Sequence, residues 1–312
     1  MALFYSQGMR KVLMSKTKQW DMSPKLRKVF TDILKRRYKS AVMKQHAYLF
    51  FKVMSPEEIL RILHEESPET FNFNPYKRIG YINVTYVPRL LTMFCVKTLH
   101  LDAVVKGKTL QLYLSVVYAG LNLKTVTHKK PTKKRLRYVR VYEDKKVDVD
   151  VSDTDVVVIK FFDPVVRVTK ENLFAELPLA DFESSDSLIL AGREYVHDNM
   201  LLSNFNMNMC AKGHDIAGVT CENERFLYNG WTRSTIDPAL KAIKADTAIA
   251  NASALPCELM PFDWVQNRDD FCLDTAACGL RKAGPRDQKR KLCFNISKGN
   301  ITFMLVSKKY RK

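Results

Sequence analysis

Between Tyr81 and Phe162 the chain reads six times over as a β-strand: YINVTYV, LHLDAVV, LQLYLSVVYAGL, LRYVRVY, VDVDV and DVVVIKFF. Short runs rich in Val, Leu, Ile, Tyr and Phe suit the pleated, half-buried surface of a sheet. Lys106-Gly107-Lys108 and Glu143-Asp144-Lys145-Lys146 read as hairpin turns between them. A β-rich body is therefore expected over residues 76–180. Helical patterns lie on either side of it, so the expected class is α+β, with a basic helical N-terminus, a β-rich middle and a C-terminal α/β region.

The helical start is also where the charge sits. Of 51 Lys and Arg against 33 Asp and Glu, net +18, residues 1–45 hold 12 basic and two acidic side chains. Within this stretch Ser23 reads as an N-cap and Pro24 as the first helical residue, with Leu26, Phe30, Ile33 and Leu34 recurring at helical spacing. A second helix is expected after Ser55-Pro56-Glu57-Glu58, a capping box. The expected divisions are 1–75, a basic helical segment; 76–180, the β-rich domain; and 181–312, the C-terminal region, unless all three form one compact unit. So large a positive excess calls for an acidic partner, DNA or RNA foremost. The cluster Lys129, Lys130, Lys133, Lys134, Arg135 and Arg137 around Pro131, together with Lys35, Arg36 and Arg37, forms the candidate phosphate-binding set. The first cluster also reads as a nuclear-import signal.

No apolar run approaches the roughly 20 residues of a spanning helix, and no membrane span is expected. Seven cysteines without small-scaffold spacing and without a signal peptide point to reduced thiols inside the cell. Cytoplasm and nucleus are the compartments this leaves. Without a C-x-x-C or H-x-x-x-H pair no metal is expected, although His214, Cys221, Cys257, Cys272, Cys278 and Cys293 include the residue types zinc prefers. No Walker loop, G-x-G-x-x-G or G-x-S-x-G occurs, so nucleotide hydrolysis and serine esterase chemistry lack support, and no cofactor is expected.

The chemistry-bearing stretch is GHDIAGVTCENERFLYNGW, residues 213–231, a strand, turn and strand with His214 at its mouth and Asn229 near its end. A cysteine nucleophile requires an imidazole to take its proton, a group to orient that imidazole and donors for the oxyanion. Cys272, His214, Asn229 and Gln266 can supply these roles in that order. A helix beginning near Asp269 or Asp270, in DDFCLDTAACGLRKAG, would put Cys272 in its first turn, where free amides favour thiolate. Asp269 and Asp270 oppose that effect, and Cys278, before Gly279, competes for the same role. A hairpin turn of two or four residues would place His214 and Asn229 on one face, and a three-residue loop centred on Asn223 would separate them. The plain alternative is structural: a hydrogen-bonded His214 at a strand end, and Cys210, Cys221 and Cys257 as core.

The order of histidine, asparagine after a strand-turn-strand, and glutamine with five residues before cysteine resembles the cysteine proteases related to the adenovirus endopeptidase and the SUMO-specific proteases. That resemblance implies His214 as base, Asn229 as its orienter, Gln266 at the oxyanion, Cys272 as nucleophile, and a protein or ubiquitin-like substrate. Asp215 stands where the family usually has Trp, and Leu273 where it commonly has Gly. The phrases HDIAGVTC, FLYNGW, PCELMPFDW and FCLDTAACGL also resemble uncharacterised proteins of large nucleocytoplasmic DNA viruses, which implies a viral origin. Two functions are therefore expected: a viral cysteine protease or its inactive descendant, cleaving peptide or isopeptide bonds, or a non-enzymatic basic protein of nucleic acid or the virion.

Overall fold

The computed structural model describes residues 2–35, 65, 72–74, 79–81, 87–115, 124–126, 139–141, 151, 153–161, 172–203, 215–228, 259–267, 269, 271–273, 292–294 and 300–311. These form a mixed α/β structure with a large sheet and few helices. The helices are α1 (Ala2–Tyr5), α2 (Gln7–Ser15), α3 (Pro24–Lys35), α4 (Val87–Met93) and α5 (Leu179–Ser184). Strands β1 (Asn72–Asn74) and β2 (Ile79–Tyr81) pair with each other. They are followed by β3 (Thr98–Lys106), β4 (Thr109–Leu114), β5 (Lys124–Val126), β6 (Val139–Val141), β7 (Val156–Phe161) and β8 (Leu173–Pro178). Next come β9 (Ser187–Leu190), β10 (Arg193–Ser203), β11 (Asp215–Cys221), β12 (Glu224–Tyr228) and β13 (Leu259–Pro261). The last are β14 (Phe271–Leu273), β15 (Leu292–Phe294) and β16 (Asn300–Ser307).

Ten strands make one sheet, ordered β13-β12-β11-β10-β16-β7-β3-β4-β8 with β9 added beside β10. Strands from both sides of residue 180 share it. The 11-residue β10 is its spine, pairing along most of its length with β16 and on its other edge with β9 and then β11. Every pair is antiparallel except β3 with β7, which run parallel. A parallel pair needs a crossover rather than a tight turn, and 49 residues, 107–155, lie between those two strands.

The sequence of the central strands explains why both faces of the sheet are covered. Strand residues alternate between faces, and in β7 both sets are apolar. Val156 and Val158 enter a core with α1 to α4, while Val157 and Ile159 enter the opposite one. In β16, Met304 and Val306 face the helices, and Phe303 and Leu305 face away. On the helical side Phe4, Trp20, Phe30 and Phe94 form one aromatic cluster, with Phe4 stacked on Phe30 at 5.1 Å and Phe94 edge-on to Trp20 and Phe30 at 4.9 Å. On the far side Phe182, Phe303 and Trp264 fill the equivalent position.

Helix α3 bears out its local signals: Ser23 Oγ accepts the Leu26 amide at 3.2 Å, and Leu26, Phe30 and Leu34 are buried. Helix α2 docks through a device the alternation pattern hides. The register between β10 and β16 steps from His197↔Leu305 to Asn199↔Met304, so Asp198 is an extra residue with no partner, a β-bulge. Its fully buried carboxylate accepts the amides of Gly8 and Met9 in the first turn of α2, both at 2.8 Å. Those amides have no partner within a helix, and the positive end of the helix dipole suits a carboxylate. The approach is close enough to require glycine. A Cβ on Gly8 would lie 2.5 Å from Val306 Cγ2 and 2.7 Å from Asp198 Oδ1.

Two expected elements differ from those observed. The strand expected through YINVTYV ends at Tyr81 among the described residues, and Val87 instead begins α4, where Pro88 is tolerated in the first turn. The helix expected over DDFCLDTAACGLRKAG is replaced at Phe271–Leu273 by β14, paired with β15. Phe271 packs edge-on against Phe262 at 5.0 Å, and Asn267 Oδ1 accepts the Asp269 amide at 2.8 Å, a turn just ahead of the strand. The second helix after Ser55, the turn at Glu143–Lys146 and the helix expected in DPALKAIKADTAIANA lie outside the described residues, apart from helical Glu65.

Candidate functional site

Strands β11 and β12 form the hairpin singled out from the sequence. Their register, Ala217↔Tyr228 through Cys221↔Glu224, leaves a two-residue turn, Glu222-Asn223, with φ of 51° and 67°. Positive φ at both positions matches the twist of the flanking strands, and asparagine tolerates it well. The two-residue turn is the case in which His214 and Asn229 were expected to share a face; both residues lie outside the described ones. The hairpin is held tightly: Gly218 has no room for a Cβ, which would come 2.5 Å from Met200 Cγ and 2.8 Å from Trp264. Trp264 is accordingly core.

Gln266 is exposed, in the turn after β13. That turn is organised by Asp263, whose Oδ1 accepts the amides of Val265 at 3.1 Å and Gln266 at 3.2 Å and an Arg225 N–H at 2.7 Å. Burial pushes the Asp263 carboxyl up, but the Gln266 amide and Arg225 outweigh it and hold it below the usual range. Arg225 is itself nearly buried, donates at 2.5 Å to Asp186 and lies 5.6 Å over the Trp264 ring. The Gln266 amide thus serves the turn.

Cys272 corrects the sequence reading. It sits at the centre of β14, in register with Cys293 of β15, not in the first turn of a helix. A strand offers neither a run of free amides nor a dipole, so the proposed source of thiolate stabilisation is missing. The reason lies at residues 292–294. Phe-Cys-Leu at 271–273 meets Leu-Cys-Phe at 292–294 in antiparallel order, giving Phe271↔Phe294 and Leu273↔Leu292. Cys278 lies outside the described residues.

Of the basic candidates, Lys35 closes α3, and Arg36 and Arg37 lie outside the described residues. Lys129, Lys130, Lys133, Lys134, Arg135 and Arg137 do too, but the strands that bracket them are described. β5 and β6 pair antiparallel up to Val126↔Val139, so residues 127–138 are the connection of a hairpin. That connection contains no Asp or Glu. β14 and β15 bracket 274–291 in the same way, and this connection carries Arg281, Lys282, Arg286, Lys289, Arg290 and Lys291 against Asp274 and Asp287.

Sequence reasoning missed the buried titratable groups. Asp102, 3% exposed on β3, is pushed up to about 7 by burial, which the Ser115 hydroxyl and Lys160 ammonium only partly offset. His100, two residues earlier on the same strand face, is pushed down to about 4 by burial, with Thr98 Oγ1 2.8 Å from its Nε2. Burial likewise raises Asp198 to about 6 against the pull of the Met9 and Gly8 amides. Burial also lifts Asp155, but Tyr310, Lys16, Lys309 and the Lys97 amide together hold it below its usual range. It thereby ties the end of α2 to β3 and to the 3₁₀ turn at Lys308–Tyr310. The one signal for Asp102 and Asp198 in the sequence was an acid inside an apolar strand run, LHLDAVV or YVHDNMLL.

Among the described residues no group of three or more His, Cys, Asp or Glu could hold a metal ion. No helix among them is long and apolar enough to cross a membrane. No protein-family model matches the chain, and no curated protein matches it.

Proposed function

We propose that the protein is a non-enzymatic binder of nucleic acid, in which the large sheet is a scaffold and basic hairpin connections grip phosphate. The observation that carries this reading is the pairing of β5 with β6 and of β14 with β15, each ladder closing the base of a strongly basic connection. A ladder that gathers both ends of such a segment concentrates its charge at one place, which favours contact with a polyanion. Charge in the described residues is nearly balanced, and some of it meets inside the fold, as at Asp155, Asp198 and Arg225.

The test is duplex DNA and RNA binding measured across salt concentration. A protein that releases counterions from about six phosphates should show log K falling against log[salt] with a slope near about −5 on B-DNA. Replacing Lys129, Lys130, Lys133, Lys134, Arg135 and Arg137 by Gln should flatten that slope and weaken binding. Binding that ignores salt, or survives the replacement unchanged, refutes the reading.

The cysteine-protease reading retains one favourable observation, the two-residue turn of the β11–β12 hairpin. It requires rapid modification of Cys272 by a thiol-directed electrophile at neutral pH, lost in Cys272→Ser and slowed in His214→Ala. Slow labelling indifferent to His214 removes it.

A further inference from the structure

We propose that Cys272 and Cys293 are a redox pair that closes a reversible cross-strand disulfide between β14 and β15, the strands that bracket residues 274–291. The two residues are direct register partners in the antiparallel β14–β15 pair. Partners in such a pair have Cα atoms about 4.5–5.5 Å apart, inside the range of about 4.4–6.8 Å that a disulfide spans. Among the described residues their ladder is a separate two-stranded sheet of three residues per strand. A hairpin of that size is marginal by itself, so a covalent bond across its middle would decide whether it persists. The segment it would close holds six basic residues and a third thiol, Cys278.

The chemistry needs a disulfide oxidant, of which oxidised glutathione is the intracellular type. One thiolate of the pair attacks the glutathione disulfide, forming a mixed disulfide and expelling one glutathione thiolate. The second cysteine, deprotonated, attacks the protein sulfur of that mixed disulfide. This forms the Cys272–Cys293 bond and releases the second glutathione, so two cysteine thiols are oxidised as one disulfide is reduced to two thiols. Bond formation depends on the strand register and the oxidant and is independent of whether the basic connections bind nucleic acid.

The experiment equilibrates the full chain in glutathione buffers of increasing oxidised fraction, traps free thiols by alkylation and maps the cross-links by mass spectrometry. The expected result is a Cys272–Cys293 cross-linked peptide in the wild type and in Cys278→Ser, and none in Cys272→Ser or Cys293→Ser. Fragment ions of the wild-type peptide identify the bonded cysteines even if a variant fails to fold. In denaturant at the same glutathione poise, the ratio of oxidised to reduced pair should fall at least ~10-fold, because register no longer holds the partners together. A cross-link that joins Cys278 to either residue, mixed glutathione disulfides alone, or equal oxidation in folded and denatured protein would each overturn the proposal.

Discussion

Replacing Asp198 by Asn isolates the energetic consequence of a carboxyl forced into the centre of the sheet by a β-bulge. The wild-type group is fully buried and its pKa is raised from 3.8 to about 6, first by burial, with the Met9 and Gly8 amides pulling the other way. A carboxyl whose folded pKa lies above its unfolded one favours the fold most when protonated. Its contribution is complete below pH ~4 and is lost as the pH rises through about 6. A shift of about two units corresponds to roughly 3 kcal/mol over that window. Asn cannot ionise, and its amide oxygen can still accept one of the two helix N–H groups. The stability of Asp198→Asn relative to wild type should therefore improve by about 3 kcal/mol between pH 4 and pH 7, starting from a deficit at acid pH of about 1–3 kcal/mol for the amide left unpaired. The assay is urea unfolding of both proteins at pH 4, 5, 6 and 7. Comparing the two cancels the titration of His100, Asp102 and Asp155. A difference that stays flat with pH, or one that moves against the variant as pH rises, would refute the account of a desolvated, helix-capping carboxyl.

Gly8→Ala should cost about 1–3 kcal/mol in urea unfolding, because the added Cβ meets Val306 Cγ2 at 2.5 Å and Asp198 Oδ1 at 2.7 Å and the helix must move off the sheet; a cost under a few tenths would show that α2 is not seated this closely. For Asp102, raised to about 7 chiefly by burial, the same sign applies: its contribution is lost as pH rises from about 4 through about 7, so Asp102→Asn should gain on the wild type across that range by on the order of 4 kcal/mol in the same assay. Equal pH profiles for the two proteins would remove Asp102 from the buried set.

By itself the sequence determined the elements whose signals are local. Ser23-Pro24 and the Leu26, Phe30, Leu34 stripe suffice for α3, because cap, first-turn proline and 3.6-residue spacing all lie within one helix. The runs LHLDAVV and DVVVIKFF suffice for β3 and β7, and Gly107 for the turn after β3, since φ of 61° there is a property of that residue and its neighbours. The hairpin of β11 and β12 was equally legible, though its turn length was not. Tertiary structure alone decided what depends on partners distant in the chain. Nothing near Cys272 specifies a strand; the acid start and the Ala-rich continuation suit a helix, and only pairing with Leu-Cys-Phe at 292–294 overrides that preference. Nor does YVHDNMLL announce that a register shift at Asp198 turns two consecutive polar residues, Asp198 and Asn199, toward the helical side, which a strict two-residue alternation forbids. Asp198 acquires its role only when Gly8 and Met9, about 190 residues earlier, bring unpaired amides to it. Local propensity is fixed by neighbouring residues, whereas register and desolvation are set by whichever surfaces fold against each other.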